Sequence, residues 1–371
     1  MLTRIAQTRL AMKQQGVDAL LVGASTDLRW LTTYQALPLE RLTLLVLPAL
    51  GEPQLIVPGL EEPRARASQA AQVAAIRPWA ESEDPFALVA TIAGELGLPD
   101  DATFAVQDQL WSSFLVSMQR IMPTASWRIG SDVLRHVRSV KTPDEVAALQ
   151  AAGAAIDGVH AQVPELLRVG RTESEVGADI ARLINASHDR VEFIIVASGP
   201  NGASPHHETS DRVLQDGDAI VVDIGGKLNG YCSDMTRNYV IGNSPDGYDE
   251  MHATLEASQE AGVQAGVAGA ACQDVDRASR KVLDDAGYGA WFIHRTGHGI
   301  GVDVHEHPYM IEGNEELLVQ GMAFSVEPGV YKPELWGARI EDIVVIGPDG
   351  PVRCNNLPHG AIRVDGHGNR L

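Results

Sequence analysis

Apolar residues Leu2, Ile5, Leu10 and Met12 recur at helical spacing and stop at Gly16, which predicts a helix over residues 2–15 with a glycine C-cap. Short apolar runs at Ala19–Val22, Leu42–Leu47 and Gln54–Val57 have strand length, and further strands are expected at 73–76 and 103–106. Helical patterns near 61–70 and 85–97 alternate with them. That alternation predicts an α/β domain of roughly 125 residues. Arg128 to Thr142 reads as a connection, so the boundary is expected at 127/128, with a second domain over 128–371. In Thr142-Pro143-Asp144-Glu145 the Thr can cap, Pro suits the first helical position, and Glu closes a capping box. The helix should run to about Arg168 with a break at Pro164. A second capping box, Thr172 to Glu175, opens a helix ending near Ser187. Strands follow, then helices near 247–268 and 273–286, then strands again, which is the α+β pattern of helices over a curved, mostly antiparallel sheet.

Composition narrows the function classes. The chain has 371 residues, 44% hydrophobic and 21% charged, enough to fill the cores of two domains. Its net charge of −20 repels phosphate backbones and anionic lipid, which argues against nucleic-acid or membrane partners. No apolar run reaches the roughly 18 residues of a membrane span, and the first 16 residues lack the apolar centre of a signal peptide. Cys232, Cys272 and Cys354 form no disulfide framework, which fits a reducing, cytoplasmic setting.

Chemistry enters where carboxylates interrupt apolar strands. Ala219-Ile-Val-Val-Asp223-Ile-Gly places an aspartate in mid-strand, where burying an unpartnered charge costs several kcal/mol. Asn229-Gly230 signals a hairpin turn, and the return strand holds Asp234. With ten residues between them, the two aspartates are expected directly opposite each other on one face, a repulsive arrangement unless a cation lies between. Glycines flank His298 in Gly297-His298-Gly-Ile-Gly-Val-Asp-Val-His305-Glu306, allowing close backbone approach, with His294 just upstream. Glu327 ends the apolar run Ala323-Phe-Ser-Val, and Glu341 lies within Ala338-Arg-Ile-Glu341-Asp-Ile-Val-Val-Ile346. Arg339 shares a face with Glu341 and could pair with it. Four carboxylates and one imidazole overload a single dication and match two, in an oxygen-rich set suited to Mn²⁺, Co²⁺, Fe²⁺ or Zn²⁺. Two such ions roughly 3.5–4 Å apart can share a hydroxide that attacks a carbonyl.

The order Asp, Asp, His, Glu, Glu, with GHGIGVDVHE, SVEPGVY and ARIEDIVVI around the last three, resembles the Xaa-Pro peptidases, prolidase and Xaa-Pro aminopeptidase, over about residues 135–365. The resemblance implies a pita-bread catalytic domain behind a small creatinase-like α/β domain, a homodimer, and two Mn²⁺ or similar ions. It implies that Asp223 binds one ion, that Asp234 and Glu341 bridge both, that His298 completes the first shell, and that Glu327 serves the second. Glu327 would also pass a proton to the leaving nitrogen, and His305 would donate to the attacked carbonyl. His206, His294 and Arg339 match further residues of the family's active site, expected to contact substrate or orient the carboxylates.

The implied substrate is a short proline-containing peptide. The short N-terminal domain favours an Xaa-Pro dipeptidase, with Xaa-Pro aminopeptidase as the alternative. One departure points the other way. Family prolidases place an arginine between the segments matching His305 and Tyr331 to hold a dipeptide's carboxylate, and here that stretch is acidic, with Glu312, Glu315 and Glu316. His207 also departs from the family's usual tyrosine or glycine. Arg41 is the candidate replacement cation, against a plain surface salt bridge. A non-catalytic binding protein on this fold, or a creatine-cleaving enzyme, would be expected to lack part of the ligand set, and all five ligands are present.

Overall fold

A computed structural model describes all 371 residues. The chain forms two compact units, Met1–Arg138 and Ser139–Leu371. The division lies beyond the expected 127/128, because the supposed connection holds a strand, Ser126–Ile129, and a helix, Ser131–Arg138. That helix buries Val133 and Leu134 and packs on the helix Leu2–Gln15, so it belongs to the first unit. No helix is long and apolar enough to cross a membrane, and the three cysteines are buried free thiols.

In the first unit, β1 (Ala19–Gly23), β2 (Leu44–Pro48), β3 (Gln54–Pro58), β4 (Ala75–Trp79), β5 (Thr103–Val106) and β6 (Ser126–Ile129) form one sheet in the order β4-β3-β2-β1-β5-β6. Gly16 takes the left-handed cap at φ 65°. The helices Thr26–Thr32 and Ser112–Ile121 lie outside the expected pattern. The first has only seven residues, too few for a helical period to show, and is started by Ser25, whose side chain accepts from the Leu28 N–H.

The second unit is built from two antiparallel-rich sheets, each backed by a helix pair. The first sheet contains β7 (Arg190–Ser198), β8 (Ala219–Leu228), β9 (Tyr231–Cys232), β10 (Met235–Ile241) and, far along the chain, β18 (Ile362–Val364). The helices Pro143–His160 and Glu173–Ser187 close their capping boxes at Thr142 and Thr172 as expected, and bury Ile156, Ile180 and Ile184 against this sheet. The other sheet contains β11 (Gly297–Gly299), β12 (Glu306–Met310), β13 (Ala323–Val326), β16 (Asp342–Gly347) and β17 (Gly350–Arg353), in the order β12-β11-β13-β16-β17. Its helices are Tyr248–Ala265 and Cys272–Asp285, which bury Val263 and Val275 with Phe324, Val326 and Val344. A small hairpin joins β14 (Gly329–Lys332) to β15 (Trp336–Arg339). A single bridge between Thr236 and Glu341 links the two large sheets.

Close backbone contact fixes the loop after β7. Gly337 of β15 lies against Gly202, and a Cβ there would overlap the Gly202 carbonyl oxygen. Neither partner is a flexible side chain, so Gly337→Ala should destabilise the second unit by about 1–3 kcal/mol, the usual range for overpacking. Chemical denaturation monitored by tryptophan fluorescence measures the change.

Candidate metal centre

Strand alternation aims Asp223. Ile220, Val222 and Ile224 enter the core beneath the helices, and Asp223 between them faces the other side of β8. Leu228 pairs with Tyr231 across a two-residue turn in which Asn229 and Gly230 have φ of 51° and 89°. This register puts Thr236, not Asp234, opposite Asp223. Asp234 occupies the short gap between β9 and β10, so it reaches the same face as the diagonal neighbour of Asp223. The expectation of directly opposed aspartates is corrected by that one step of pairing.

The second sheet supplies the other three ligand candidates. His298 sits in mid-β11, where a Cβ at Gly297 would overlap the Ser325 carbonyl and one at Gly299 the His307 carbonyl. Only glycine lets the flanking strands close in so tightly. Glu327 follows β13 directly, and Glu341 precedes β16, each at the strand end nearest the first sheet's hairpin.

One atom from each of Asp234, His298 and Glu341 lies within 4.8 Å of the others, and all three residues are buried. The His298 Nε2 is 3.7 Å from Asp234 Oδ2 and 3.3 Å from Glu327 Oε1. Its Nδ1–H donates to the Gly299 carbonyl at 3.0 Å, which leaves Nε2 as the acceptor facing the carboxylates. Thr236 donates to Glu341 Oε2 at 2.8 Å, and Ser325 donates to Glu327 Oε1 at 3.1 Å. Arg339 pairs with Asp223 Oδ2 rather than with Glu341, lies 3.9 Å from Glu327 Oε2, and donates to Thr236 and Tyr331. The other Asp223 oxygen, Oδ1, is buried without any hydrogen-bond partner.

These groups repel one another. Burial, with the charges of Asp223 and Glu327, holds the Asp234 carboxyl well above its usual range, and burial with Asp234, Glu327 and Asp223 does the same to Glu341. Burial, opposed by Arg339 and reinforced by Asp223, lifts Glu327 to about 7. Burial and the adjacent His305 push His298 down to about 3, so it is a neutral imidazole at neutral pH. A neutral imidazole, mutually repelling carboxylates and an orphaned carboxylate oxygen are the donor set that divalent cations complete. The residues present fit such ions.

A cavity of about 470 Å³ opens onto the cluster, with Phe193, Ile195, Pro205 and Val304 forming an apolar wall. His206 and His305 line it, and the His305 ring stands 4.1 Å from that of His298. Burial, together with Arg295, pushes the His305 imidazole below its usual value. His294 lines the cavity too, but both its ring nitrogens are engaged within the protein. Nδ1 lies 2.7 Å from the Arg295 carbonyl and Nε2 2.8 Å from the Tyr331 hydroxyl, which Arg339 also holds. His294 therefore braces Tyr331 and Arg339 rather than offering a free nitrogen. His207 turns away from the centre to Glu173, at 2.8 Å, where it helps tether the loop that carries His206. Arg41 lies in the first unit, paired with Glu40 and Glu81 at 2.6 and 2.7 Å. Sequence reasoning missed Thr236, Tyr331, Arg295 and the apolar wall. Thr236 carried a signal, being two residues beyond Asp234 on the same strand face.

The fold and centre define a metallopeptidase. The chain belongs to metallopeptidase family M24, which it matches over residues 147–348, behind a creatinase/prolidase N-terminal domain at residues 4–140. It is 45% identical over 367 residues to a probable dipeptidase, PepE, of Mycobacterium bovis, covering 97% of this chain and 96% of that one. It is 32% identical over 344 residues to an Xaa-Pro dipeptidase of Lactobacillus delbrueckii subsp. lactis, covering 91% and 93%. The crystal structure of dipeptidase PepE from Mycobacterium ulcerans matches with a TM-score of 0.93 at 46% identity, over 98% of both chains. The second unit is thus the pita-bread domain of this family.

Two outcomes follow from the crowded carboxylates. Asp234→Ala should remove the stabilisation that Mn²⁺ confers, and all peptidase activity, while the metal-free variant stays folded; calorimetry with and without Mn²⁺ checks this. Because Glu327, Asp234 and Glu341 are harder to ionise folded than unfolded, they oppose folding of the metal-free protein, the Glu327 penalty being full above about pH 7 and relieved as pH falls toward 4.5. His298, held down to about 3, works the other way below its ordinary value of 6.5. Protons compete with metal for the carboxylates, so the rise in melting temperature produced by Mn²⁺ should be larger at pH 8 than at pH 6.

Proposed function

We propose that this metallopeptidase hydrolyses the imide bond before proline in Xaa-Pro dipeptides, using two divalent ions held by Asp223, Asp234, His298, Glu327 and Glu341. The observation that carries the reading is the meeting of all five residues at one cavity beside an apolar wall. Arg339 offsets one of the four negative charges, and the remaining three exceed what one divalent ion neutralises. Such ions, when bound, supply Lewis acidity and lower the pKa of an attacking water.

The chain's own side chains account for the remaining steps. Phe193, Ile195 and Val304 offer the apolar surface against which a pyrrolidine ring packs and from which water is excluded. Glu327, at the cavity beside the attacked bond, takes a proton from the attacking water and delivers it to the imide nitrogen. That delivery matters because an unprotonated proline nitrogen leaves poorly. His305, kept neutral by burial and by Arg295, has an N–H to donate to the carbonyl oxygen as negative charge develops there, and His206 on the cavity wall is placed to share that task. Arg339 fixes Asp223 and, through Thr236, the Glu341 carboxylate. Family likeness further supports manganese over cobalt, zinc or iron, and a homodimer; three unpaired cysteines support a reducing compartment such as the cytoplasm.

The reading is tested on Mn²⁺-loaded protein with Ala-Pro, Met-Pro and Ala-Pro-Ala. Cleavage of the dipeptides but not the tripeptide is expected; cleavage of the tripeptide alone would make it an Xaa-Pro aminopeptidase, and cleavage of none would end the proline reading. Glu327→Gln should lower kcat by roughly 10²–10⁴, the range of general acid–base catalysis, as steady-state kinetics on Ala-Pro would show.

A further inference from the structure

A dipeptide brings a carboxylate into the cavity only one residue from the bond that is cut. Desolvating that charge is costly unless a cation meets it. The stretch between His305 and Tyr331 has no arginine or lysine, and Arg41 is already held by two glutamates in the first unit. Among the residues lining the cavity, formal positive charge comes from Arg339 and Arg295 alone. Arg339 is committed, through its pairing with Asp223 and its hydrogen bonds to Thr236 and Tyr331.

Arg295 differs from Arg339 and from several other arginines of the second unit in having no carboxylate partner. Arg212, Arg237, Arg280 and Arg353 each meet a carboxylate within 3.1 Å. The Arg295 guanidinium meets none; it rests on the face of Tyr309, 4.2 Å from the ring centroid. Stacking fixes the plane of a guanidinium while leaving its edge donors free, and a planar fork of donors matches a carboxylate in two parallel hydrogen bonds. Tyr309 lies in β12, within the stretch that lacks an arginine of its own, so a cation from the segment before β11 is laid across that stretch. The backbone carbonyl of Arg295 holds His294, which ties the start of this side chain to the wall of the site.

We infer that Arg295, stacked on Tyr309, is the substrate-binding residue that receives the C-terminal carboxylate of the dipeptide. This rests on the dipeptidase reading and adds to it a physical cause of length selection. A free carboxylate directly after proline satisfies the guanidinium, whereas a longer peptide or an amide presents a neutral group there and leaves the cation unpaired. The selection is therefore electrostatic as well as steric.

The test compares Ala-Pro with Ala-Pro-amide, which differ only in the charge at the C-terminus, on wild-type, Arg295→Met and Arg295→Lys proteins loaded with Mn²⁺. Metal content and melting temperature of each variant are measured to confirm folded, loaded enzyme. The wild type should prefer the acid. In Arg295→Met that preference, as a ratio of kcat/KM values, should fall roughly 10- to 100-fold, the range for a hydrogen-bonded charge pair, mainly through a higher KM for Ala-Pro. Arg295→Lys, which keeps the charge and loses the fork, should fall between. If Arg295→Met slows acid and amide by the same factor, or neither, the assignment is overturned while the dipeptidase reading stands. If the wild type cleaves no dipeptide, the dipeptidase reading fails first and the assignment with it.

Discussion

Mutual repulsion among Asp223, Asp234, Glu327 and Glu341 is the constraint that organises the second unit. All four lie at one cavity, and three of them are held above their normal ionisation range by burial and by each other. An arrangement of this kind opposes folding while its members are ionised, an electrostatic cost that bound cations or protons relieve. Strands from two sheets, glycines with no room for a Cβ, and the Thr236–Glu341 bridge hold the carboxylates together against their own repulsion.

The neighbouring Asp342 shows that burial alone is not the cause. It is as buried as Glu341 and next to it in sequence, yet it meets Arg237 at 2.7 Å, Arg353 at 3.0 Å and His359 at 2.7 Å. Burial pushes its carboxyl up, but the hydrogen bond from His359 and the charge of Arg237 outweigh this and hold it below the usual range. One residue of offset along the chain therefore separates a structural carboxylate, met by cations within the protein, from one that faces other carboxylates. Arg339 stands between the two regimes, since it satisfies one oxygen of Asp223 and leaves the other orphaned.

Around this anionic centre the cavity changes character over a short distance. Phe193, Ile195 and Val304 present an apolar wall, His206 and His305 present donors, and Arg295 presents a charge of opposite sign. A short peptide with a proline ring and a terminal carboxylate meets matching chemistry at each of these points, which is why the proposed substrate and the proposed anchor support each other.

The sequence by itself determined the local turns and caps and which carboxylates fall within apolar strands. Capping boxes at Thr142 and Thr172, the Gly16 cap and the Asn229-Gly230 turn are local devices, satisfied within a few residues, and they stand where the pattern put them. Carboxylates interrupting apolar strands were legible for the same reason, since a charge in a buried strand needs an explanation wherever the strand packs. Other features were decided only by tertiary structure: the one-step diagonal between Asp223 and Asp234, the choice of Asp223 over Glu341 as the partner of Arg339, the turning of His207 toward Glu173, and the placing of Arg295 on Tyr309. Each depends on register or on contact between segments distant in the chain. Spacing along one strand reveals which face a side chain takes, but the neighbour it meets there is chosen by how the sheets pack.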